Sequence, residues 1–319
     1  MTTTATTAAA RFGRAASRVP DTIFRSASGG LGWPTVAVLA LLGVLLVLNS
    51  GEAFAKFGAG FVTGTTWDPI AGIYGALPFI VGTILSSFIA IVLATPIGLL
   101  TAIFLAELAP RRLSIPLTFT IELLAAIPSV VFGLWGVFVL GPFLSGTVEK
   151  WIVESLGWIP IFAGPPFGVG LFAAGVILTL MILPTIVAIS RDVITAVPDS
   201  QREAMLALGA TRWEMITKSV LPYARSGIIG AVILGLGRAL GETMAVTMVI
   251  GNRPQLPKSI FDSSQTIASQ IATTFNEASI GLQTSALIGL GLILLVITMT
   301  LNVIARLLVW RVAGAPEGH

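Results

Sequence analysis

Arg238 and Glu242 are the charged residues of this chain best placed to act on a solute, because apolar and small residues surround both of them. Arg238 follows Pro222 by 16 residues, a distance of about 24 Å along an α-helix. An arginine at the centre of a membrane span costs about 2.5–3.5 kcal/mol on insertion scales, so it normally faces a cavity or a partner. The position therefore predicts a functional contact or an ion pair.

Both uses of this pair are open from the sequence. The four-residue spacing places Glu242 on the same helical face as Arg238, where the carboxylate could neutralise the guanidinium and fix helix packing. Alternatively, the planar guanidinium of Arg238 contacts a passing oxyanion such as phosphate. Glu242 would then weaken the hold on the anion and accept a hydrogen bond from its protonated form, which favours hydrogen phosphate over sulfate.

Glu122 is a third carboxylate in an apolar stretch, close to the start of a predicted span. A carboxylate near the membrane edge is inexpensive. We therefore expect a structural role, in which Glu122 pairs with Arg111, with Arg112 or with a partner subunit.

A polar segment between two long apolar stretches predicts a docking surface. Its candidate contact residues are Arg202, Glu203, Ala204, Gly209 and Ala210. Connections between spanning helices are usually short, so a charged helix and turn of this length indicates that a protein outside the bilayer holds it.

The docking segment reads as two short helices. Pro198 precedes Asp199 and Ser200, either of which can cap a helix, with Glu203 in the first turn. Gly209 either stops this helix or permits a close approach, and a second helix then leads towards Pro222.

The composition is that of an integral membrane protein. Of the residues 55% are hydrophobic and 10% charged, with a mean hydropathy of +0.94, whereas about a quarter of the residues are charged in soluble domains. Cysteine is absent, His319 is the single histidine, and no Gly is followed by Lys. These facts exclude disulfides, thiolate metal sites, catalysis by Cys or by an internal His, and a Gly-Lys phosphate loop. We therefore expect no enzyme, and the net charge of +3 is too small to indicate nucleic-acid binding.

Six apolar runs are long enough to span a membrane, which needs about 20 residues. They predict an all-α protein with transmembrane helices at 33–50, 77–105, 115–142, 167–190, 223–250 and 284–310. The predicted organisation is a disordered cytoplasmic tail at 1–32, a membrane domain at 33–312 that includes the docking loop 191–222, and a tail at 313–319.

The distribution of Lys and Arg predicts the orientation. One set of connections and termini carries most of these residues: Arg11, Arg14, Arg18, Arg25, Arg111, Arg112, Arg191, Arg202, Arg212, Lys218, Arg225, Arg306 and Arg311. The alternate connections carry Lys56, Lys150, Arg253 and Lys258. Both termini and the docking loop are thus expected in the cytoplasm.

Two outward connections are long enough to hold structure of their own. In 143–166, Trp151, Ile152 and Leu156 suggest a short helix at the membrane interface. In 251–283, Ile267, Ile271 and Phe275 recur every four residues and predict another helix. That helix could cap the outer mouth, receive a soluble partner or simply pack against the spans.

The docking segment resembles the EAA loop of ABC importer permeases, which docks the ATPase subunit. Met205 replaces the usual third alanine, and Ser219 replaces a usual isoleucine. Two longer strings, at 122–136 and at 237–246, resemble PstC-type permeases of phosphate ABC importers, and the likeness runs over most of 35–312.

This resemblance implies a six-helix, MetI-like type I importer permease in the plasma membrane of a bacterium. It also implies three kinds of partner, which are a PstA-type second permease, a PstB-type ATPase dimer and an extracytoplasmic PstS-type phosphate-binding protein. ATP would bind to the ATPase, so we expect no cofactor in this chain.

Alternatives to phosphate import remain open. The same kind of importer could carry sulfate or molybdate, and a membrane scaffold or sensor could report phosphate status through cytosolic partners. An ion-driven secondary transporter is disfavoured for two reasons. One Arg–Glu pair makes a poor proton relay, and such a transporter would not need the docking loop.

Overall fold

The computed structural model describes residues 18–313. The chain divides after Asn49 into two compact units. The first contains helix α1 (Arg18–Asn49), which carries Pro34 inside it. The tail predicted to be disordered at 1–32 is therefore helical over the described residues 18–32. Residues 1–17 and 314–319 lie outside the described range.

The second unit begins with small elements that precede its long helices. Helices α2 (Gly51–Phe57) and α3 (Gly60–Thr63) lead to an antiparallel hairpin of β1 (Trp67–Asp68) and β2 (Ile73–Tyr74). The turn of this hairpin is held by Asp68, whose Oδ1 accepts hydrogen bonds from the backbone N–H groups of Ile70 and Ala71 at 2.9 and 3.1 Å.

The remainder of the described chain is mostly helical, with longer connections at 157–170 and 250–266. The helices are α4 (Leu77–Ile103), α5 (Arg111–Ala126), α6 (Ser129–Trp135), α7 (Gly141–Phe143), α8 (Glu149–Leu156), α9 (Leu171–Thr195), α10 (Asp199–Ala207), α11 (Arg212–Met215), α12 (Leu221–Gly241), α13 (Met244–Val249), α14 (Ile267–Thr274) and α15 (Leu282–Ala313). Turns of π-helix lie at Phe104–Leu108, Gly136–Leu140, Leu144–Val148 and Ile216–Val220, and 3₁₀ turns at Pro160–Phe162 and Phe275–Glu277.

Within the described residues, five continuous helical stretches are long and apolar enough to cross a membrane. They are Leu77–Leu108, Ser129–Leu156, Leu171–Thr195, Arg212–Gly241 and Leu282–Arg311, and Trp33–Asn49 with Gly51–Phe57 would make a sixth. The predicted all-α membrane protein is confirmed.

The predicted bounds of the third span, 115–142, are wrong. Helix α5 ends at Ala126, Ile127 is extended with ψ of 129°, and the span starts only at Ser129. The reason is Pro128, because the residue before a proline is driven out of the helical region. The span then continues to Leu156, so the predicted separate interface helix within 143–166 is the end of this span.

The predicted fifth span, 223–250, is also displaced. It begins at Arg212 and ends at Gly241, where Glu242 leaves the helix with ψ of 127°. The apolar residues that follow form the separate short helix α13.

Helix α9 is the centre of the second unit. Of its apolar stretch 61% is buried, compared with 22–33% in the other four spans. Glycines allow close helix contacts here, because a methyl group added at Gly175 would lie 2.4 Å from Ile89 of α4, and one at Gly98 would lie 2.9 Å from Ile186 of α9. The α4–α9 interface is therefore closely interlocked.

The connections predicted to face outwards contact one another at one end of the second unit. Ile260 donates its backbone N–H to the carbonyl of Ile161 at 3.0 Å, and the N–H of Ile267 donates to Thr83 Oγ1 at 3.0 Å. The predicted helix in 251–283 is α14, with Ile267 buried and Phe275 exposed. The buried face of α14, which includes Ile267, therefore packs against the spans.

Candidate functional site

The docking segment folds as the predicted short helix α10, followed by α11, which continues without a break into the fifth span. Helix α10 ends at a left-handed glycine, Gly209, with φ of 83°. The N–H of Gly209 donates to Leu206 O at 3.0 Å and that of Ala210 to Met205 O at 3.1 Å, which is a Schellman motif. Nothing lies within 4 Å of a methyl group added at Gly209, so this glycine stops the helix and does not serve a close approach.

The predicted side-chain cap of α10 is absent. Helix α10 starts behind an extended Pro198, and neither Asp199 nor Ser200 caps it through its side chain. Instead, Asp199 Oδ1 accepts a hydrogen bond from Arg202 Nη1 at 3.1 Å. Proline fixes the entry of the chain into the helix by its restricted φ, so the start does not depend on a side-chain cap.

Helix α11 begins with a capping box that was not predicted from the sequence. Glu214 N donates to Thr211 Oγ1 at 3.3 Å, and Thr211 N donates to Glu214 Oε2 at 3.0 Å. The signal was present in the sequence as a threonine followed three residues later by a glutamate. This box orients the second helix of the docking segment.

The outer side of the docking segment mixes polar and apolar groups. Glu203 and Ala204 are exposed. Three large apolar side chains are also exposed: Leu206, Leu208 (84% exposed) and Trp213 (63% exposed). We call these five residues the docking face. Large exposed apolar groups on a polar connection are typical of a protein–protein contact.

Arg202 does not share this outward position. Its side chain is 16% exposed and pairs with Glu107, whose side chain is 7% exposed, at 2.8 Å. Of the other predicted docking residues, Gly209 is exposed and Ala210 is half-buried. The guanidinium of Arg202 points into the protein, away from the docking face.

Arg238 lies in the last turn of α12, on a face that the rest of the described chain leaves open. The adjacent face, with Ala231, Gly235 and Ala239, is buried. Gly237, directly before Arg238, and Gly241, three residues after it, have nothing within 4 Å of an added methyl group. Small residues beside an exposed arginine leave room for a solute or for another chain.

The predicted ion pair between Arg238 and Glu242 does not form. Within 18–313 the structure gives Arg238 no ion pair and no hydrogen bond. Glu242 lies beyond the end of the helix, so the four-residue rule for one helical face no longer applies. Its Oε1 accepts a hydrogen bond from Ala245 N at 3.2 Å, at the start of α13, where a negative charge is favourable.

Glu122 does not pair with Arg111 or Arg112 in the described part of the chain. All three residues are on α5, and ten residues of helix separate Arg112 from Glu122 by about 15 Å. Glu122 is exposed, and no residue of α5 is buried. Contact with a partner subunit remains as the predicted role of Glu122.

Two buried carboxylates were not singled out from the sequence. Glu107 lies in the π-helical turn that ends α4, and Glu149 in α8 accepts a hydrogen bond from Gly168 N at 2.8 Å. Glu149 is 2% exposed, and its hydrogen bond joins the third span to the connection before α9. Neither belongs to a motif, so their partners become known only from the fold. Among the described residues, no group of three or more His, Cys, Asp or Glu side chains could hold a metal ion.

Comparison with known proteins supports the resemblance found in the sequence. Residues 94–314 match the family model described as "Binding-protein-dependent transport system inner membrane component". The chain is 49% identical over 279 residues to the phosphate transport system permease protein PstC of Pasteurella multocida, covering 86% of this chain and 87% of that protein. The PstC protein of Haemophilus influenzae is 44% identical, with 91% of this chain and 93% of that protein covered.

Solved structures support the same fold. A chain of a bacterial alginate ABC transporter, in complex with an alginate-bound periplasmic protein, superposes with a TM-score of 0.60 at 16% identity. The match covers 93% of this chain and 98% of that one. The inward-facing MetNI methionine ABC transporter gives a TM-score of 0.56 at 18% identity, covering 77% and 99% of the two chains. At these identities the likeness concerns the fold alone.

Proposed function

Because the chain belongs to the binding-protein-dependent transport system inner membrane components, among their PstC phosphate permeases, we propose that it forms one half of an ATP-driven phosphate importer. The chain is a phosphate transport permease subunit with the fold of an ABC importer permease. The observation that carries this conclusion is the 49% identity to PstC of Pasteurella multocida over 279 residues. The relatives are permease proteins by name and not enzymes.

The assembly that we propose has three further kinds of subunit. A PstA-type permease would complete the passage, a PstB-type ATPase dimer would bind ATP, and a PstS-type protein would deliver phosphate outside the cytoplasm. Leu206, Leu208 and Trp213 on the docking face are the anchors we propose for the ATPase, since large apolar side chains dominate the energy of protein contacts.

We assign the contact with phosphate to Arg238. An arginine inside a span normally faces a cavity or a partner, and this one has no polar partner within the described chain. Its planar guanidinium can donate two parallel hydrogen bonds to a phosphate. The open glycine face of α12 leaves room for the anion between the two permeases.

Glu242 has a different part in this proposal. Its carboxylate already accepts a hydrogen bond from Ala245 N through Oε1. The second oxygen could accept a hydrogen bond from the P–OH group of hydrogen phosphate, which sulfate lacks at neutral pH. The same negative charge would keep the anion from being held too tightly.

The test is uptake of labelled phosphate into vesicles that contain the assembled complex, with Arg238 intact or changed to Ala. Leu234→Ala is the matched control, since Leu234 is exposed on the same side of α12 and carries no charge. We expect Arg238→Ala to lose uptake while the ATPase remains bound, and Leu234→Ala to stay near the unchanged protein.

Other results would contradict parts of the proposal. A complete wild-type complex that takes up no phosphate would contradict the substrate. Uptake that excess sulfate or molybdate abolishes would indicate a different oxyanion. Normal uptake by Arg238→Ala would show that Arg238 does not contact the transported anion.

A further inference from the structure

We propose that the ion pair between Glu107 and Arg202 is the link through which the docking helix α10 moves the transmembrane helices. Arg202 is then a positioning residue that fixes α10 to the spans, and not a contact for the ATPase. The inference rests on the proposed function, because it explains how a cytoplasmic ATPase acts on this permease.

Two N–H groups of Arg202 donate to one carboxylate oxygen of Glu107, and the protein encloses most of the pair. Glu107 Oε1 accepts from Arg202 Nε at 3.1 Å and from Arg202 Nη2 at 2.8 Å. The side chains are 7% and 16% exposed. A buried pair of this kind differs from a surface pair, because loss of one partner leaves an uncompensated charge inside the protein. The two residues are therefore coupled strongly.

The same guanidinium also holds the end of α9. Arg202 Nη2 donates to the carbonyl of Ile194 at 2.9 Å, and Nη1 donates to the carbonyl of Val197. A cation is favourable at a helix C-terminus, where backbone carbonyls lack partners. One side chain thus joins three elements, namely α10, the end of α9 and the π-helical turn that ends α4.

The spans that Arg202 holds are interlocked with α12. A methyl group added at Gly227 of α12 would lie 2.5 Å from Val193 of α9, and one at Gly235 would lie 3.1 Å from Ile186. Helices packed at such distances resist sliding past one another, because protein interiors are close-packed. A displacement of α10 is therefore passed to α4 and α9 and through them to α12, which carries Arg238.

The docking face is separate from this link. Three residues of the docking face lie on α10 or directly after it, and all are exposed: Glu203, Leu206 and Leu208. Glu203 forms no ion pair in the described chain. The ATPase can therefore bind one side of α10 while Arg202 holds the other. Binding of the ATPase and transmission of its movement become separable by mutation.

The experiment uses the full complex in vesicles with Glu107→Gln, Arg202→Gln or Arg202→Lys. Two quantities are measured, which are retention of the ATPase subunit and phosphate taken up per ATP hydrolysed. We expect retention in all three variants and a ratio lowered about fivefold or more in the two Gln variants, at the lower end of coupling between sites. Arg202→Lys keeps a charge but loses the fork and should be intermediate.

Lys218→Gln is the matched control. Its ion pair with Glu214, at 3.0 Å, is exposed and lies within one helical stretch of the same segment. Exposed pairs contribute little. We expect the ratio of phosphate to ATP to remain that of the unchanged complex.

Three results would overturn the proposal. The first is an unchanged ratio in Glu107→Gln and Arg202→Gln. The second is loss of the ATPase from Arg202→Gln while Glu107→Gln retains it, which would make Arg202 an ATPase contact. If both Gln variants fail to assemble, an assembled Arg202→Lys complex with an unchanged ratio would overturn it as well.

A distance measurement tests the link without relying on phosphate. The chain has no cysteine, so spin labels can be placed at Gln201 on α10 and Leu100 on α4, both exposed, with cysteine-free partner subunits. In the unchanged complex, we expect the distance between the two labels to be the same with and without ATP. In Glu107→Gln, we expect a second, different distance to appear when ATP binds, because α10 then moves without α4. An ATP-dependent change in the unchanged complex would overturn the link, whereas absent phosphate uptake alone would contradict only the proposed function.

Discussion

At the scale of single residues, the two charges near the end of the fifth span have different surroundings. Arg238 stands on an open helical face, whereas Glu242 has left the helix and binds the start of α13 through Ala245 N. The pair is therefore no internal salt bridge. This separation leaves the guanidinium of Arg238 without a carboxylate partner in the described chain, as our proposal for it requires.

Changing Glu242→Gln should alter selectivity more than stability. The glutamine oxygen can still accept the hydrogen bond of Ala245 N, but its other group donates and can bind sulfate. We expect sulfate to inhibit labelled phosphate uptake about tenfold more effectively, as for one hydrogen bond to a charged group. Glu277→Gln, at an exposed glutamate of the outer 3₁₀ turn, is the control. If sulfate inhibits phosphate uptake by Glu242→Gln no more than uptake by the unchanged complex, Glu242 does not contact the anion.

Gly209 is a residue whose backbone decides the end of the docking helix. With φ of 83° and open space around it, Gly209→Ala adds no clash and only a strained conformation. The cost should be about 1–2 kcal/mol, seen as weaker retention of the ATPase and earlier unfolding of 199–210 by hydrogen exchange. Gly60→Ala is the control, because Gly60 starts a helix and also has open space. Equal effects of the two changes would contradict this explanation.

At the scale of elements, the α4–α9 interface depends on small residues. Gly175→Ala would place its methyl group 2.4 Å from Ile89 Cγ2 and 2.7 Å from its Cβ. Overpacking of this kind costs about 1–3 kcal/mol, so we expect a lower unfolding temperature of the purified complex in detergent.

Two further variants make this expectation specific. Gly146→Ala adds a methyl group where nothing lies within 4 Å and should leave the unfolding temperature unchanged. Adding Ile89→Ala to Gly175→Ala removes Cγ2, the atom nearest the new methyl group, and leaves Cβ, so it should restore part of the loss. No recovery in the double variant would mean that another contact limits the packing.

The third span shows how one residue moves an element. The apolar run across 115–142 hides the break at Ile127 and Pro128, because hydropathy alone does not register a local backbone restriction. The span begins at Ser129, fourteen residues later than the predicted 115, and takes in the segment that was assigned to an interface helix. The Gly241–Glu242 break ends the fifth span at Gly241, nine residues before its predicted end at 250.

At the scale of the whole molecule, the alternation of Lys- and Arg-rich connections supports our proposal that the docking segment is cytoplasmic. The absence of cysteine makes this testable with single replacements. Gln201→Cys in α10 and Glu277→Cys in the outer turn are both at exposed positions. In intact cells, a membrane-impermeant thiol reagent should label Glu277→Cys, and Gln201→Cys only after the membrane is opened. The reverse pattern would invert the proposed topology.

The sequence by itself determined the class of this protein and its family. Apolar length sets the number of spans, Gly209 sets the end of the docking helix, and the strings at 122–136 and 237–246 predicted a phosphate permease that the 49% identical relative confirms. These features are local or compositional, so they can be read along the chain.

Only the tertiary structure decided which way the charged side chains point. Arg202 was predicted as a docking contact, but its partner Glu107 lies 95 residues earlier, and burial of that pair turns the guanidinium inwards. Glu242 was predicted as the helical partner of Arg238, but the break after Gly241 turns it towards α13. A side chain takes the partner that folding brings within hydrogen-bond distance, and the separation along the chain does not fix that partner.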